Sequence, residues 1–531
     1  MGMTEADRHR PELVSAMLEP GFYPHAPRSV ELRETHISWV FLTDHLAYKV
    51  KKPVVFPFLD YGSAERRNEM CREEVRLNRR LAPEIYLGVV GVSHSGDRWS
   101  LTSEDDPAAI EYAVEMRRVE ERRSLASLVA RGELAPEQVA AVAGRLARFH
   151  AEAPVAPSDR QVVDVLVETL DENLATLRQA CREVADERRL DAAQRFTDSF
   201  VAARREELEA RARAGLVRDC HGDLRAEHVI VPSKGDVYIY DCVEFNPALR
   251  QIDVAADFAF LIMDLTALGA GGLASRLIAD YRRAGGDPGD DALVSFFASY
   301  RAWVRAKVGC LGALELPAGD PERQRRRAEV GDLLRLGHRF AWRARQPLVL
   351  VICGVAGTGK TTLARMLASI NEWPHVSSDV TRKRLAGLAS TERGGTEHYS
   401  IEFTMRTYEE MGRIARRALD RSGGVIVDAT FHRRDERAAF RAGLGERSVR
   451  LVFVECRAPP DVLLARVRER ALERDPISDA DAEVVERQLA EFEPLDEAPE
   501  EARTELVTQG PPEELANEVE EFVDRSIWGA R

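Results

Sequence analysis

Residues 347–371 read PLVLVICGVAGTGKTTLARMLASIN. The apolar run LVLVIC has the length and character of a buried strand, and TTLARMLASI reads as the helix that follows it. Between them, Gly354 to Thr361 fit GxxxxGK[ST] in the strand–loop–helix setting that this pattern needs. Gly354, Gly357 and Gly359 let successive backbone N–H groups turn inward around phosphate oxygens, and the helix N-terminus adds partial positive charge. Lys360 is placed to reach the β- and γ-phosphates of a nucleotide and the Thr361 hydroxyl to hold Mg²⁺, with Thr358 and Thr362 beside them.

Downstream residues favour an acceptor over water. The strands LVLVIC, GVIVDAT and RLVFVEC alternate with helices, as a parallel α/β sheet requires. Asp428 ends the second of them, either as a carboxylate for Mg²⁺ or its water shell, or as a cap for the next turn. In SSDVTRKRLAG, Asp379 and Arg382 share one side of a helix start, as a base and positive clamp or as a surface ion pair. Arg466, Arg470 and Arg474 fall at i, i+4 and i+8, either to neutralise a transferring phosphoryl group or as a solvated face.

On these motifs, residues 347–497 resemble the small P-loop kinases that include gluconate kinases, chloramphenicol phosphotransferase and zeta-toxin-like enzymes. That resemblance implies phosphoryl transfer from ATP to a small hydroxyl-bearing molecule, with Asp379 as base or substrate anchor. It leaves the molecule open.

A second phosphotransfer pattern lies upstream. His221-Gly222-Asp223-Leu224-Arg225-Ala226-Glu227-His228 has the H-x-D spacing of a kinase catalytic loop, and Asp241 follows 18 residues after Asp223 across the hairpin HVIVPSKGDVYIYD. One carboxylate can meet an acceptor hydroxyl while the other holds Mg²⁺ against the nucleotide. Arg225 is available to neutralise the γ-phosphate. Further upstream, the strand LAYKVKK places Lys49 and Lys51 on one face, and the next helix carries Glu73 and Glu74. Either lysine can make the strand-Lys to helix-Glu pair that orders phosphates; Lys49 with Glu74 is the preferred pairing.

Over roughly 30–310 the chain resembles the aminoglycoside phosphotransferase-like kinases, through YKV, EEVRLNRRL, EYAVEMRRV, HGDL and IYDCVEF. The domain order resembles a bacterial group of fused proteins in which such a domain precedes a P-loop kinase. The resemblance implies a protein-kinase-like α+β fold followed by a P-loop parallel-sheet α/β fold. Two departures stand out. His228 occupies the catalytic-loop position where the pattern has a metal-binding Asn, which makes it a candidate metal ligand beside Asp241. That leaves three readings: one metal ion sufficing, a softer divalent ion, or nucleotide binding without efficient turnover. The first hairpin also has no GxGxxG.

Composition bounds the rest. The 531 residues carry 75 Lys+Arg against 89 Asp+Glu, a net charge of −14, which argues against a general polyanion binder, so no nucleic acid is expected. In 321–345, eight Arg against three acids resemble a basic patch, but an apolar stripe through Leu333, Leu336 and Phe340 makes it the solvated face of a packed helix. No apolar run is long enough for a membrane span, and the N-terminus has no apolar leader core. Seven scattered Cys without a CxxC pair predict neither a zinc knuckle nor a disulfide framework, and a reducing cytoplasm.

The pattern divides into an N-terminal segment 1–27, a small lobe 28–118, a helical catalytic lobe 119–310, a helical linker 311–346, the P-loop domain 347–497 and an acidic tail 498–531. The reading is a bifunctional ATP- and Mg²⁺-dependent kinase acting on small-molecule hydroxyls. The alternatives are a P-loop kinase regulated by a catalytically weak first domain, and an ATP-driven switch. Acceptor identity and oligomeric state are not encoded legibly.

Overall fold

The computed structural model describes residues 10–56, 59–96, 98–157, 162–389, 392, 395–446, 448–470 and 482–529. The chain forms two compact units that interleave in sequence: 1–160 with 210–289, and 161–209 with 290–531. The helical stretch 119–310 is therefore shared between units.

The first unit is built on a six-stranded antiparallel sheet. Its strands are β1 (Glu31–Glu34), β2 (Ser38–Leu42), β3 (Leu46–Lys51), β4 (Tyr86–Ser95), β5 (Arg98–Ser103) and β6 (Ala109–Arg117), in the order β1-β2-β3-β6-β4-β5. Side chains alternate across it. Phe41, Tyr48, Val50 and Ala113 face a core closed by Leu13 and Met17 of the helix Arg10–Leu18. Leu42, Ala47 and Val114 face Cys71 and Val75 of the helix Ala64–Asn78. Lys49 and Lys51 keep the parity of Ala47, so they also point toward that helix. Ser63 caps it, its hydroxyl accepting from Arg66 N at 3.2 Å. The helix buries Cys71, Glu74, Val75 and Asn78 along one face. Two carboxylate- and amide-bearing residues inside a core demand partners, and the site supplies them.

The second half of this unit is mainly helical. The strand pair Val229–Ile230 and Tyr238–Ile239 forms the expected hairpin. A second pair, Val217–Asp219 with Gln251–Asp253, brackets the catalytic loop and has no clear sequence signature.

In the second unit the sheet is all parallel: β7 (Leu348–Cys353), β8 (His375–Ser377), β9 (Gly424–Asp428), β10 (Arg450–Arg457) and β11 (Arg503–Val507), ordered β8-β9-β7-β10-β11. Every residue of β7 is buried, as expected for a central strand covered on both faces. Residues 498–529 supply the edge strand β11 and the helix Pro512–Trp528, whose Leu515, Val519 and Val523 pack with Leu350 and Val454. The apolar positions of that helix recur at helical spacing among glutamates.

The cysteines also correct the sequence reading. Cys181 and Cys310, separated by 129 residues, form a disulfide in the second unit. Spacing along the chain gives no hint of it, since the helices Val162–Ala180 and Asp291–Leu314 bring the two residues together in space. Cys71, Cys220, Cys242, Cys353 and Cys456 are free and buried. No described helix is long and apolar enough to cross a membrane.

Candidate active sites

In the first unit, strand β3, the helix Ala64–Asn78, the catalytic loop and the segment after Tyr238–Ile239 converge. Lys49 Nζ donates to Glu74 Oε1 at 2.9 Å and to Asp241 Oδ1 at 2.6 Å. Lys51 is engaged as well: its Nζ donates to Glu74 Oε2 at 2.7 Å, to Tyr61 OH at 3.3 Å and to Glu244. Glu74 therefore bridges both lysines. The two differ in exposure. Lys51 is fully buried, whereas Lys49 and Asp241 open toward solvent.

Tyr61 OH donates to Glu244 Oε1 at 2.5 Å, closing a buried network that the sequence reading missed. Its one signal was Glu244, three residues after Asp241. Burial by itself lowers the pKa of Lys49, but Asp241 and Glu74 outweigh it and hold the ammonium well above its ordinary value. Burial likewise opposes ionisation of Asp241, and Lys49 overcomes it, so the carboxyl is held below its usual range. Asp241 adopts a left-handed backbone with φ 65°. Such strain in a non-glycine residue persists only where its surroundings fix it. Here Lys49 holds the side chain, and Tyr86 OH accepts from Asp241 N at 3.2 Å.

The catalytic loop is pinned from below. Asp257, on the helix Val254–Ala267, accepts from His221 N at 3.1 Å, from Gly222 N at 2.8 Å and from His150 Nε2 at 3.1 Å. Asp264, two turns on, accepts from Ala226 N at 2.8 Å. Acids at helical spacing in an apolar run are thus explained by loop backbone. They also account for the convergence of His150, Cys220 and Asp257, a group of metal-ligand types whose carboxylate is already satisfied. Gly222 has φ +87°, and a Cβ there would lie 3.0 Å from Leu249 O, so the loop requires glycine.

His221 Nε2 donates to the Tyr240 carbonyl at 3.0 Å, and Nδ1 accepts from Asp223 N at 3.3 Å, which assigns the neutral tautomer. Burial pushes its pKa down to about 4. A histidine depressed in the fold takes up protons more readily when unfolded. Stability therefore falls as pH drops from about 6.5 toward 4, by about 1.4 kcal/mol per pH unit at most. A His221→Gln chain is expected to flatten that part of the unfolding-midpoint profile; an unchanged slope would contradict it.

Asp223 projects from the loop with its carboxylate partly exposed. Arg225 Nε donates to its Oδ2 at 3.1 Å. Burial works against its charge, yet Arg225 wins and its pKa is lowered. All six residues expected here, Lys49, Glu74, Asp223, Arg225, His228 and Asp241, lie in this one site.

In the second unit, Gly354, Gly357 and Gly359 have φ of 135°, 84° and 80°, and a Cβ on Gly354 would meet Cys456 O at 2.4 Å. Lys360 opens the helix Lys360–Asn371, its Nζ resting 3.3 Å from Val355 O, and Thr362 is exposed one residue beyond Thr361. Thr358 Oγ1 donates to Val355 O at 2.8 Å and braces the loop. Thr361 Oγ1 donates to Asp428 Oδ1 at 3.1 Å, while His375 Nε2 lies 2.6 Å from Asp428 Oδ2. His375, on β8 beside β9, was invisible in the sequence because only strand pairing brings it to Asp428. Two hard oxygens at the mouth of a phosphate loop are the donor set that Mg²⁺ takes.

Arg382 is largely buried; its Nη1 donates to His398 O at 2.9 Å and Thr404 Oγ1 at 3.2 Å, and it stacks over Tyr399. It braces the helix Ser378–Leu385, on whose first turn Asp379 sits. Arg466 reaches the loop itself, donating to Gly357 O at 3.3 Å and Thr508 O at 2.7 Å. The side chain of Arg470 and all of Arg474 lie outside the described residues. Two further contacts were missed: Gln488 Oε1 accepts from Ala356 N at 2.8 Å, and Thr508 Oγ1 donates to Thr358 O at 2.6 Å.

A family model described as an AAA domain matches residues 349–495. A shikimate kinase of Bradyrhizobium diazoefficiens is 32% identical over 154 residues, which cover 28% of this chain and 66% of that protein. Among solved structures, a choline/ethanolamine kinase family protein from Mesorhizobium loti aligns with 63% of this chain and 99% of its own, at 14% identity and a TM-score of 0.37. The uncharacterized protein Rv2004c of Mycobacterium tuberculosis is 34% identical over 463 residues, covering 86% of this chain and 88% of that protein. The chain belongs to the family of this mycobacterial protein, and its P-loop region, residues 349–495, is the part that the AAA domain model matches.

Proposed function

We propose that the chain is a bifunctional kinase that moves the γ-phosphate of ATP to small-molecule hydroxyl groups, once in each unit. The observation that carries this reading is Lys49 held between Glu74 and Asp241 beside Asp223, in a chain that also has a complete phosphate loop. In the first unit Lys49 binds phosphate oxygens and Asp223 receives the proton of the acceptor hydroxyl. In the second, the loop N–H groups and Lys360 hold the nucleotide, and Asp379 receives the acceptor's proton or anchors the acceptor. Asp241 in one unit, and Thr361 with Asp428 in the other, would hold Mg²⁺, which would neutralise charge on the phosphates when bound.

The test is to incubate the purified chain with γ-labelled ATP, Mg²⁺ and a deproteinised cell extract. Asp223→Ala and Lys360→Ala are each expected to remove a different labelled small molecule. Label that survives both substitutions together would sink the assignment. A second reading, favoured by His228 in place of Asn, makes the first unit a nucleotide-binding regulator of the P-loop kinase. Turnover by the Lys360→Ala chain would exclude it.

A further inference from the structure

In the kinase pattern, the loop position five residues after the base carries an Asn that holds a second metal ion. His228 stands there, and its contacts give the imidazole other work. Its Nδ1 lies 2.9 Å from the main-chain oxygen of Asp223, which can only accept. The proton therefore sits on Nδ1 and the lone pair on Nε2. That lone pair is taken, because Arg225 Nη2 donates to it at 3.0 Å. A metal ion at Nε2 would have to expel the guanidinium and then stay beside a fixed positive charge. Magnesium in addition prefers oxygen to imidazole. A second magnesium ion does not fit this loop.

Arg225 is well placed to supply the missing charge. It is held by Asp223, by Glu227 and by His228 at once. The same His228 Nε2 that accepts from Arg225 lies 3.6 Å from Asp241 Oδ2, while Lys49 occupies Oδ1. The imidazole thus ties Arg225 to the Asp241 side of the site, and Asp241 itself is partly exposed. A guanidinium is charged at every physiological pH and presents several donors to phosphate oxygens.

We propose that Arg225 takes the place of the second divalent ion, so that the first unit works with one metal ion per nucleotide. The inference rests on the reading of this unit as an ATP site. It assigns His228 to orienting Arg225 and not to binding metal.

The probe is Mn²⁺, counted by electron paramagnetic resonance on the full chain saturated with a non-hydrolysable ATP analogue. Lys360→Ala serves as the background, so that the remaining nucleotide reports the first unit. One Mn²⁺ per bound nucleotide is expected there, and still one after His228→Asn, which keeps Arg225. Two are expected after Arg225→Ala combined with His228→Asn, which frees the site and restores the oxygen ligand. Two ions with Arg225 intact, or only one in the double variant, would overturn the proposal while leaving the ATP site standing. No nucleotide bound to the Lys360→Ala chain would remove the ATP reading and this inference with it.

Discussion

Asp223→Ala is expected to lower kcat/KM of the first unit by about 10²–10⁴, the range that a positioned general base contributes. The carboxylate has the right state and place. Arg225 keeps it ionised despite burial, and the loop that carries it is fixed through Asp257 and Asp264. Asp223→Asn tests the chemistry more narrowly. Its amide oxygen still accepts from Arg225, so the loop keeps its geometry, but it cannot take a proton. The measurement is turnover of the Lys360-independent product, together with nucleotide affinity. A loss confined to kcat places Asp223 in the transition state; a loss confined to nucleotide binding would show that it is a structural partner of Arg225.

The largest effect on stability is expected at Arg345, in the second unit. The side chain is fully buried, donating through Nε to Asp524 Oδ1 at 2.7 Å and through Nη2 to Asp524 Oδ2 at 2.8 Å and Glu520 Oε1 at 3.1 Å. It also stacks 4.8 Å from the rings of Trp342 and Phe196. Arg345→Ala leaves two buried carboxylates without the guanidinium that bonds both. Burial already raises the pKa of Asp524 and Arg345 only partly offsets it, so its loss raises that pKa further. Breaking a buried pair from one side costs about 3–5 kcal/mol. Denaturant unfolding read on the second unit checks it. Arg345→Met with Asp524→Leu and Glu520→Leu is expected to recover most of the loss, since apolar replacement of the whole group removes the desolvation cost. A loss below about 1 kcal/mol in Arg345→Ala would contradict the account.

These two sites also mark where the sequence was and was not legible. The phosphate loop was readable because its chemistry is contiguous: strand, glycines, Lys360, Thr361 and helix follow one another. Lys49, Glu74, Asp223 and Asp241 were readable through their order and spacing, although no spacing could show that Glu74 serves both lysines. What stayed hidden depends on contacts between distant segments. His375 reaches Asp428 through a strand pairing, Gln488 and Thr508 reach the phosphate loop from stretches dominated by acids, and Cys181 meets Cys310 across helices. Asp257 and Asp264 stand as acids in an apolar helix, but three of the groups they accept from are backbone N–H groups, which leave no trace in side-chain pattern. The helix Pro512–Trp528 is legible in the spacing of its apolar positions, whereas the pairing of β11 with β10 is not.

The central claim is that one chain holds two separate ATP sites. Equilibrium binding of a non-hydrolysable ATP analogue to the full chain tests it most directly. Two nucleotides per chain are expected in the wild type, and one in each of Lys360→Ala and Lys49→Ala. A wild-type chain that binds one nucleotide, and a Lys360→Ala chain that binds none, would contradict it.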